Sequence, residues 1–237
     1  IIFILYIMER NNETNDDIKE RNVKNTFYIT YVFLLTTATI TFIEAMRTSN
    51  AKIRNILNLE TCISVVAAYF YGLFVEKIKD KPIDYKNINT TRFTDWAITT
   101  PIMLLVLLLA FLYNSGGRLS FWTFCIVLAL NYIMLGAGYL GETGIFPKIP
   151  SMAVGFTAFF GMYGYIYKTF LHKKYKFDNS ILFWAFAILW SCYGILYMAD
   201  EQTKNIGYNI LDLFAKCFVG IFFWAYFTKT FTLSKLN

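Results

Sequence analysis

Long apolar runs separated by short polar stretches dominate the chain. A helix needs about 20 mostly apolar residues to cross a bilayer. Seven stretches meet this requirement: 25–46, 56–75, 93–113, 119–140, 149–170, 180–199 and 205–228. The segments between them are too short for a further folded domain. The pattern therefore predicts an all-α, multi-pass protein of a cell or host membrane, built as a bundle of seven transmembrane helices.

The two ends of the chain differ from this bundle. Residues 1–24 begin with the apolar run "IIFILYIM", which is too short to span, and continue with the polar run "ERNNETNDDIKERN". We expect these residues to form an N-terminal cap or linker. Residues 25–228 are the predicted transmembrane domain, and residues 229–237 are a short tail.

Composition agrees with a membrane protein. The chain is 57% hydrophobic and only 16% charged, whereas about a quarter of a soluble domain is charged. The sequence contains no GxGxxG, P-loop or nucleophile elbow, so we expect no enzyme. The cysteines lack CxxC spacing and the single histidine, His172, lies in a predicted loop, so we also expect no metal site.

Basic residues collect on one side of the predicted bundle, in the loops after spans one, three and five and in the C-terminal tail. They are Arg47, Lys52, Arg54, Arg118, Lys168, Lys173, Lys174, Lys176, Lys229 and Lys235. Because cytoplasmic loops are enriched in basic residues, we predict an extracellular N-terminus and a cytoplasmic C-terminus. The net charge of +6 is then a signal of topology, and we expect no binding of nucleic acid.

Two stripes of polar residues at helical spacing run inside the third and seventh spans. They are Arg92, Asp95 and Thr99 on one span, and Asn205, Asn209, Asp212 and Lys216 on the other. An ionisable residue within a span is costly and indicates function. A structural network of ion pairs is the alternative, but it favours a lysine near a helix end that reaches the surface. Lys216 is mid-span, which favours a lysine consumed in a Schiff base with an aldehyde.

Aromatic residues accompany this lysine. Trp96, Trp190, Tyr193 and Tyr197 would provide flat walls for a bound aldehyde. Ordinary core packing is the usual meaning of aromatics at helical spacing, and only the lysine makes a binding site the better interpretation here.

Four motifs together resemble the microbial (type I) rhodopsins over essentially all seven spans. They are "RFTDWAITTP" (92–101), "YIMLGAGYLG" (132–141), "WSCYGILY" (190–197) and "LDLFAK" (211–216). A composition rich in asparagine, isoleucine, lysine and phenylalanine is similar to the giant-virus branch of that family.

The resemblance implies a retinal-binding domain with all-trans retinal on Lys216 as a protonated Schiff base. Asp95 would be the primary counterion and proton acceptor, and Asp212 the second counterion. Supporting roles would fall to Arg92 as neutralising cation, Thr99 as hydrogen-bond donor to Asp95, and Tyr69 as the residue that reaches Asp212. The implied retinal contacts are Trp96, Thr100, Met103, Met134, Gly138, Trp190, Tyr193 and Tyr197, with Thr100 paired to Asn131.

The sequence also departs from the family. Proton pumps commonly place a carboxylic acid eleven residues after the acceptor, and Val106 occupies that position. Gly194 stands where a helix-kinking proline is usual. Lys204 is the nearest equivalent of one extracellular release glutamate. Asp200, Glu201 or Glu142 could take the role of the missing release glutamate. The alternative is that they are solvated loop charges, which is favoured for Glu201.

Added polar residues suggest an ion pathway. Glu60 and Asn58 lie on the cytoplasmic half of span two, Glu44 lies near the end of span one, and Asn205 and Asn209 line the other half of span seven. Carboxylates along a path favour cations. The alternatives are an interfacial Glu44 beside Arg47 and a buried, protonated Glu60.

Three functions remain open. A light-gated cation channel is the leading hypothesis because the donor acid is absent and pathway acids are added. An outward proton pump is favoured by the intact acceptor side. A photosensor would need a separate transducer. The expected partners are bilayer lipids, retinal, cations and other copies of the chain in a homo-oligomer.

Overall fold

The computed structural model describes residues 15–172 and 175–228, which form seven long helices. They are α1 (Asn15–Arg47), α2 (Ala51–Lys77), α3 (Tyr85–Ser115), α4 (Phe121–Glu142), α5 (Lys148–Ile166), α6 (Phe177–Leu196) and α7 (Glu201–Phe227). Wider π-helical turns occur at two places. One, Tyr167–Leu171, directly follows α5. The other, Leu213–Phe218, lies inside α7 between its α-helical parts Glu201–Asp212 and Val219–Phe227. All seven are long and apolar enough to cross a membrane, so the predicted all-α membrane fold is confirmed.

The first and third helices begin furthest ahead of the starts that the sequence pattern predicts. α1 starts at Asn15, so residues 15–24 extend the first helix and are not a separate linker. Residues 1–14 of the predicted cap and the predicted tail 229–237 lie outside the described residues. α3 starts at Tyr85, which places Arg92 and Asp95 well inside the helix instead of at its head.

Short polar side chains set several helix starts. Asn50 accepts hydrogen bonds from the amides of Lys52 and Ile53 at the start of α2. Asp84 accepts one from the amide of Asn87 at the start of α3, and Asp200 accepts one from the amide of Thr203 at the start of α7. Such caps satisfy amides that have no partner within the helix.

Short connections make consecutive helices antiparallel. We call the end where α1, α3, α5 and α7 begin the N-terminal end of the bundle, and the other the C-terminal end. α1 packs on α2 and α7, and α3 contacts α2, α4 and α6. Large apolar side chains such as Val32, Phe160 and Ile188 remain more than half exposed on the outer surface. Such a surface suits lipid contact, and the chain is an integral multi-pass membrane protein.

Candidate functional site

Lys216 lies in the interior of the bundle, within the π-helical segment of α7. Its Nζ donates a hydrogen bond to Oδ2 of Asp95 on α3 at 2.7 Å and lies 3.6 Å from Oδ1 of Asp212. Lys216 is 2% exposed and both aspartates are fully buried. The structure therefore brings the two polar stripes of α3 and α7 together around one ammonium group.

Arg92 lies on the N-terminal side of this lysine and is fully buried. Its Nη1 is 3.4 Å from Oδ2 of Asp212, and its guanidinium also donates to the side-chain oxygens of Asn205 and Asn209. Four aromatic rings surround it at 4.9–5.6 Å: Phe27, Tyr71, Phe74 and Tyr208. We call Arg92, Asp95, Asp212 and Lys216 the inner cluster. Its two cations and two anions balance, as a low-dielectric site requires.

Two tyrosines hold Asp212, and neither of them is Tyr69. The Tyr71 hydroxyl donates to Oδ2 at 2.8 Å, and the Tyr193 hydroxyl donates to Oδ1 at 2.7 Å. Tyr69 is 65% exposed on the outer surface, so its assignment to Asp212 is wrong. Residues two apart on a helix point in nearly opposite directions. The buried residues Ser64, Ala67, Ala68, Tyr71 and Phe74 follow the helical repeat that would have selected Tyr71.

Thr99 makes a different bond from the one expected. Its hydroxyl donates to the main-chain carbonyl of Asp95 at 2.9 Å instead of to the carboxylate. Oδ1 of Asp95 is buried and has no hydrogen-bond partner among the residues that the structure describes. Asp95 thus holds Lys216 with one oxygen and keeps an acceptor free on the other.

A cavity of about 120 Å³ adjoins Lys216. All nine residues predicted to contact retinal line it: Trp96, Thr100, Met103, Met134, Gly138, Trp190, Tyr193, Tyr197 and Lys216. Asn131 donates to the Thr100 hydroxyl at 2.9 Å and so ties α4 to α3 beside the cavity. Further lining residues were missed by the sequence analysis, notably Phe93, Met152, Phe156, Phe159 and Tyr208. Three of these, at positions 152, 156 and 159, share a face of α5, a spacing that could have revealed them.

The cavity suits a long apolar ligand joined to the Lys216 nitrogen. Its walls are aromatic, with the Trp96 ring packed edge-on against Tyr193 and Tyr208 at 5.5 and 5.1 Å. Gly138 and Gly194 let aromatic rings approach, because a Cβ at these positions would lie 2.9 Å from Phe93 and 2.5 Å from Phe156. The free oxygen of Asp95 supplies an acceptor beside the amine.

Toward the C-terminal end, only part of the suggested ion pathway comes together among the described residues. Glu60 is 2% exposed and faces α7 at Gly220, where a Cβ would lie 3.2 Å from its Oε2. Gly220 is one helical turn beyond Lys216. Asn58 is exposed on the outer surface and does not line an interior path. The Glu44 carboxylate lies 4.0 Å from Arg47, which agrees with an interfacial acid.

A second cluster closes the N-terminal end. The fully buried Lys204 donates to Oε1 of Glu142 at 2.7 Å and to Oε1 of Glu201 at 2.8 Å. Asn89 donates to both glutamates, at 2.7 and 2.6 Å. We call Asn89, Glu142, Glu201 and Lys204 the outer clasp. Glu201 keeps the exposure expected of a solvated charge, since its side chain is 46% exposed, but its carboxylate also binds Lys204 and Asn89.

The other polar residues predicted near this end divide into two groups. Asn205 and Asn209 are fully buried beneath the clasp and accept hydrogen bonds from Arg92. Asp200 is exposed and caps α7. Hydrogen bonds from the side chain and amide of Thr203 lower the pKa of the Asp200 carboxyl.

Comparison with known proteins finds one matching family and several similar proteins. The family described as "Bacteriorhodopsin-like protein" matches residues 22–230. The crystal structure of viral rhodopsin OLPVRII is 50% identical, with a TM-score of 0.84 over 89% of this chain and 99% of that one. The Green-light absorbing proteorhodopsin of Gamma-proteobacterium EBAC31A08 is 25% identical over 84% of this chain and 83% of its own. The blue light-absorbing proteorhodopsin from Med12 shares the fold, with a TM-score of 0.70 at 22% identity over 88% of this chain and 97% of its own.

Proposed function

Because this chain belongs to the bacteriorhodopsin-like family of microbial rhodopsins, and to its viral branch, we propose that it is a retinal photoreceptor that moves protons across the membrane. Proteins of this family bind retinal through a lysine Schiff base and are mostly light-driven transporters or sensors. When bound, all-trans retinal joined to Lys216 as a protonated Schiff base supplies the light absorption and the isomerisation that start the cycle. Trp96, Trp190 and Tyr193 would hold it in the cavity.

The observation that carries the proposal is the contact between Lys216 Nζ and Asp95 Oδ2 at 2.7 Å. A base within hydrogen-bond reach of the proton it takes is the first requirement of proton transfer. Asp95 accepts the proton from the Lys216 nitrogen, and this neutralises one ion pair of the inner cluster. Arg92 and Asp212 then remain as a balanced pair, held by Tyr71 and Tyr193.

Glu60 is the candidate that returns a proton to Lys216. Val106, where pumps of this family commonly carry an acid, is fully buried among apolar side chains and cannot donate one. Glu60 approaches α7 next to Gly220, toward the C-terminal end from Lys216, whereas Arg92 lies toward the N-terminal end. Uptake at the C-terminal end and release at the N-terminal end would make the transport vectorial.

The direction of transport follows from orientation. Basic residues flank the C-terminal end, so we propose that this end is cytoplasmic and that protons move outward. Self-association into a homo-oligomer stays a prediction from the sequence.

Cation conduction is the second candidate. Buried polar side chains favour it, since Glu60 lies on one side of Lys216 and Asn205 and Asn209 lie on the other. Between them stands the inner cluster, which includes Arg92, so a conducting state requires Arg92 to move. The outward-facing Asn58 and the Glu44–Arg47 contact weaken this candidate relative to proton transport.

Photocurrent against voltage separates the candidates, measured in cells that express the full chain and receive retinal, with proton, sodium and potassium gradients varied. An outward current that keeps its sign supports the proton pump. A current that reverses near a cation equilibrium potential supports the channel, and no current supports a photosensor. Glu60→Gln should slow reprotonation of the Lys216 nitrogen about 100-fold, whereas Glu44→Gln is the matched control and should leave it unchanged.

A further inference from the structure

The outer clasp places a buried ammonium where two carboxylates meet. Oxygens of Glu142 on α4 and Glu201 on α7 both lie within 2.8 Å of Lys204 Nζ, and both receive a hydrogen bond from the same Asn89 nitrogen. The second oxygen of Glu142 is buried, has no hydrogen-bond partner within the described part of the chain, and lies 3.9 Å from Lys148 Nζ. Two carboxyl groups this close would share one proton if no cation separated them, because like charges cannot both remain ionised at short range.

Hydrogen bonds connect this clasp to the inner cluster, and all of them point in one direction. Arg92 donates to Asn205 at 3.3 Å, Asn205 donates to Asn89 at 3.0 Å, and Asn89 donates to the two glutamates. Each donor therefore polarises the next toward the carboxylates. Side-chain amides hold such a chain in place but have no proton to pass on at neutral pH. The chain transmits charge and position from Arg92 to the clasp.

We propose that the Lys204 ammonium takes the place of a releasable proton and holds Glu142 and Glu201 ionised. The clasp then discharges no proton while Asp95 takes one up, and the proton leaves this end of the protein only when Asp95 itself gives it up. Lys204 acts as a positioning residue that sets the timing of release. This inference rests on the proposed proton transfer to Asp95.

Other charged and titratable groups face the clasp from the elements packed against it. Lys148 lies at the start of α5, Tyr197 follows α6, and Tyr208 lies on α7. Tyr85, at the start of α3, interacts electrostatically with Glu201. Lys148 offsets the charge that remains after Lys204 pairs with two carboxylates. The assembly is near neutrality with both glutamates ionised, so no extra proton is needed to balance it.

The test uses the purified, retinal-bound full chain in lipid nanodiscs. A laser flash starts the cycle, a soluble pH dye reports protons in the bulk, and the infrared carbonyl band of Asp95 reports its protonation. In the native protein, protons should reach the dye only as the Asp95 band disappears. In Lys204→Met, Glu142 and Glu201 should share a proton, and an early release of up to about one proton per cycle should accompany the rise of the Asp95 band.

Two variants distinguish this mechanism from a structural role for Lys204. Lys204→Arg keeps the charge and should keep the late release. Lys204→Met combined with Glu142→Gln removes the shared-proton site and should lose the early phase. If Lys204→Met does not bind retinal, Lys204→Gln takes its place as a polar neutral variant.

Each result tests either the role of Lys204 or the proton transfer to Asp95. Early release in the native protein, or none in the neutral variants while the Asp95 band rises normally, would overturn the assignment of Lys204. Absence of the Asp95 band in the native protein would instead overturn the proposed proton transfer.

Discussion

Two lysines of α7 are buried between carboxylates, yet their surroundings differ. Lys216 is held by Asp95 at 2.7 Å and by Asp212 at 3.6 Å, and it lines an aromatic cavity. Lys204 is held by Glu142 and Glu201 at nearly equal distances of 2.7 and 2.8 Å. It is outside the residues that line that cavity. Both lysines have carboxylates on two sides, but of the two it is Lys216 that also adjoins a cavity.

The difference shows what makes a buried lysine chemically available. Burial and paired carboxylates are common to both sites and so do not select the reactive lysine. What separates them is room for a reaction partner, since Lys216 lines the aromatic cavity and Lys204 does not. The Lys204 amine donates to both glutamates and stays a fixed charge that ties α7 to α4.

The largest expected contrast is in pigment formation. Lys216→Ala should bind no retinal covalently and remain colourless, because the attaching amine is gone. Lys204→Met should still form pigment, because the cavity and the inner cluster are intact. Absorption spectra after addition of all-trans retinal measure both. A coloured Lys216→Ala variant would break the assignment of the reactive lysine.

Replacement of one carboxylate at each site should separate their roles next. Asp95→Asn should shift absorption to longer wavelength and abolish proton transfer from the Lys216 nitrogen, since it removes both the counterion and the acceptor. Glu142→Gln should leave the colour unchanged, because Asn89 and Asn205 lie between it and the inner cluster. Flash spectroscopy of the two variants tests this, and a colour shift of equal size in both would show that the sites are not distinct.

A smaller effect should come from the tyrosines of α2. Tyr71→Phe removes the hydrogen bond to Asp212 and leaves a buried carboxylate oxygen and Arg92 with fewer partners. We expect a loss of about 1–3 kcal/mol in stability and altered absorption. Tyr69→Phe, on the outer surface, is the matched control and should change stability by less than about 0.5 kcal/mol. Thermal bleaching of the two pigments measures the difference.

The sequence was sufficient for the inner cluster and the cavity but not for the outer clasp. Charges in the middle of apolar spans are rare, so Asp95, Asp212 and Lys216 stand out without a structure. Lys204 and Glu201 lie in a polar stretch, "ADEQTKN", where charge is expected. The burial of Lys204 and its pairing with two carboxylates depend on α7 starting at Glu201 and on Glu142 arriving from the end of α4. Such a contact between distant segments leaves no local pattern.

The direction in which a side chain points from its helix was also difficult to predict from the sequence. Tyr69 and Tyr71 both lie in the apolar run of α2, and only the phase of the helix separates a lipid-facing ring from one that binds Asp212. The predicted hydrogen bond from Thr99 to the Asp95 carboxylate was wrong for a related reason. A threonine one turn after Asp95 can bond to the backbone carbonyl as readily as to the carboxylate, and the carbonyl is the acceptor in the structure.

The smallest expected effect lies at the exposed rim, beside the outer clasp. Asp200 caps α7, and its pKa is lowered by Thr203. A carboxyl whose pKa is lower in the folded than in the unfolded protein stabilises the fold above its unfolded pKa of about 4. That stabilisation is lost as pH falls through the folded value. Asp200→Ala should cost at most about 1 kcal/mol at neutral pH. Asp200→Asn keeps a cap that does not titrate.

Thermal stability of these variants between neutral and acidic pH would therefore sharpen the comparison of the two sites. The native protein should lose its small advantage over Asp200→Asn only in acid, and the colour set by the inner cluster should not follow that loss. If the colour changed with the cap, the start of α7 would be coupled to Lys216 through the helix. The two lysines would then be parts of one unit, since Lys204 and Lys216 both lie on α7 behind that cap.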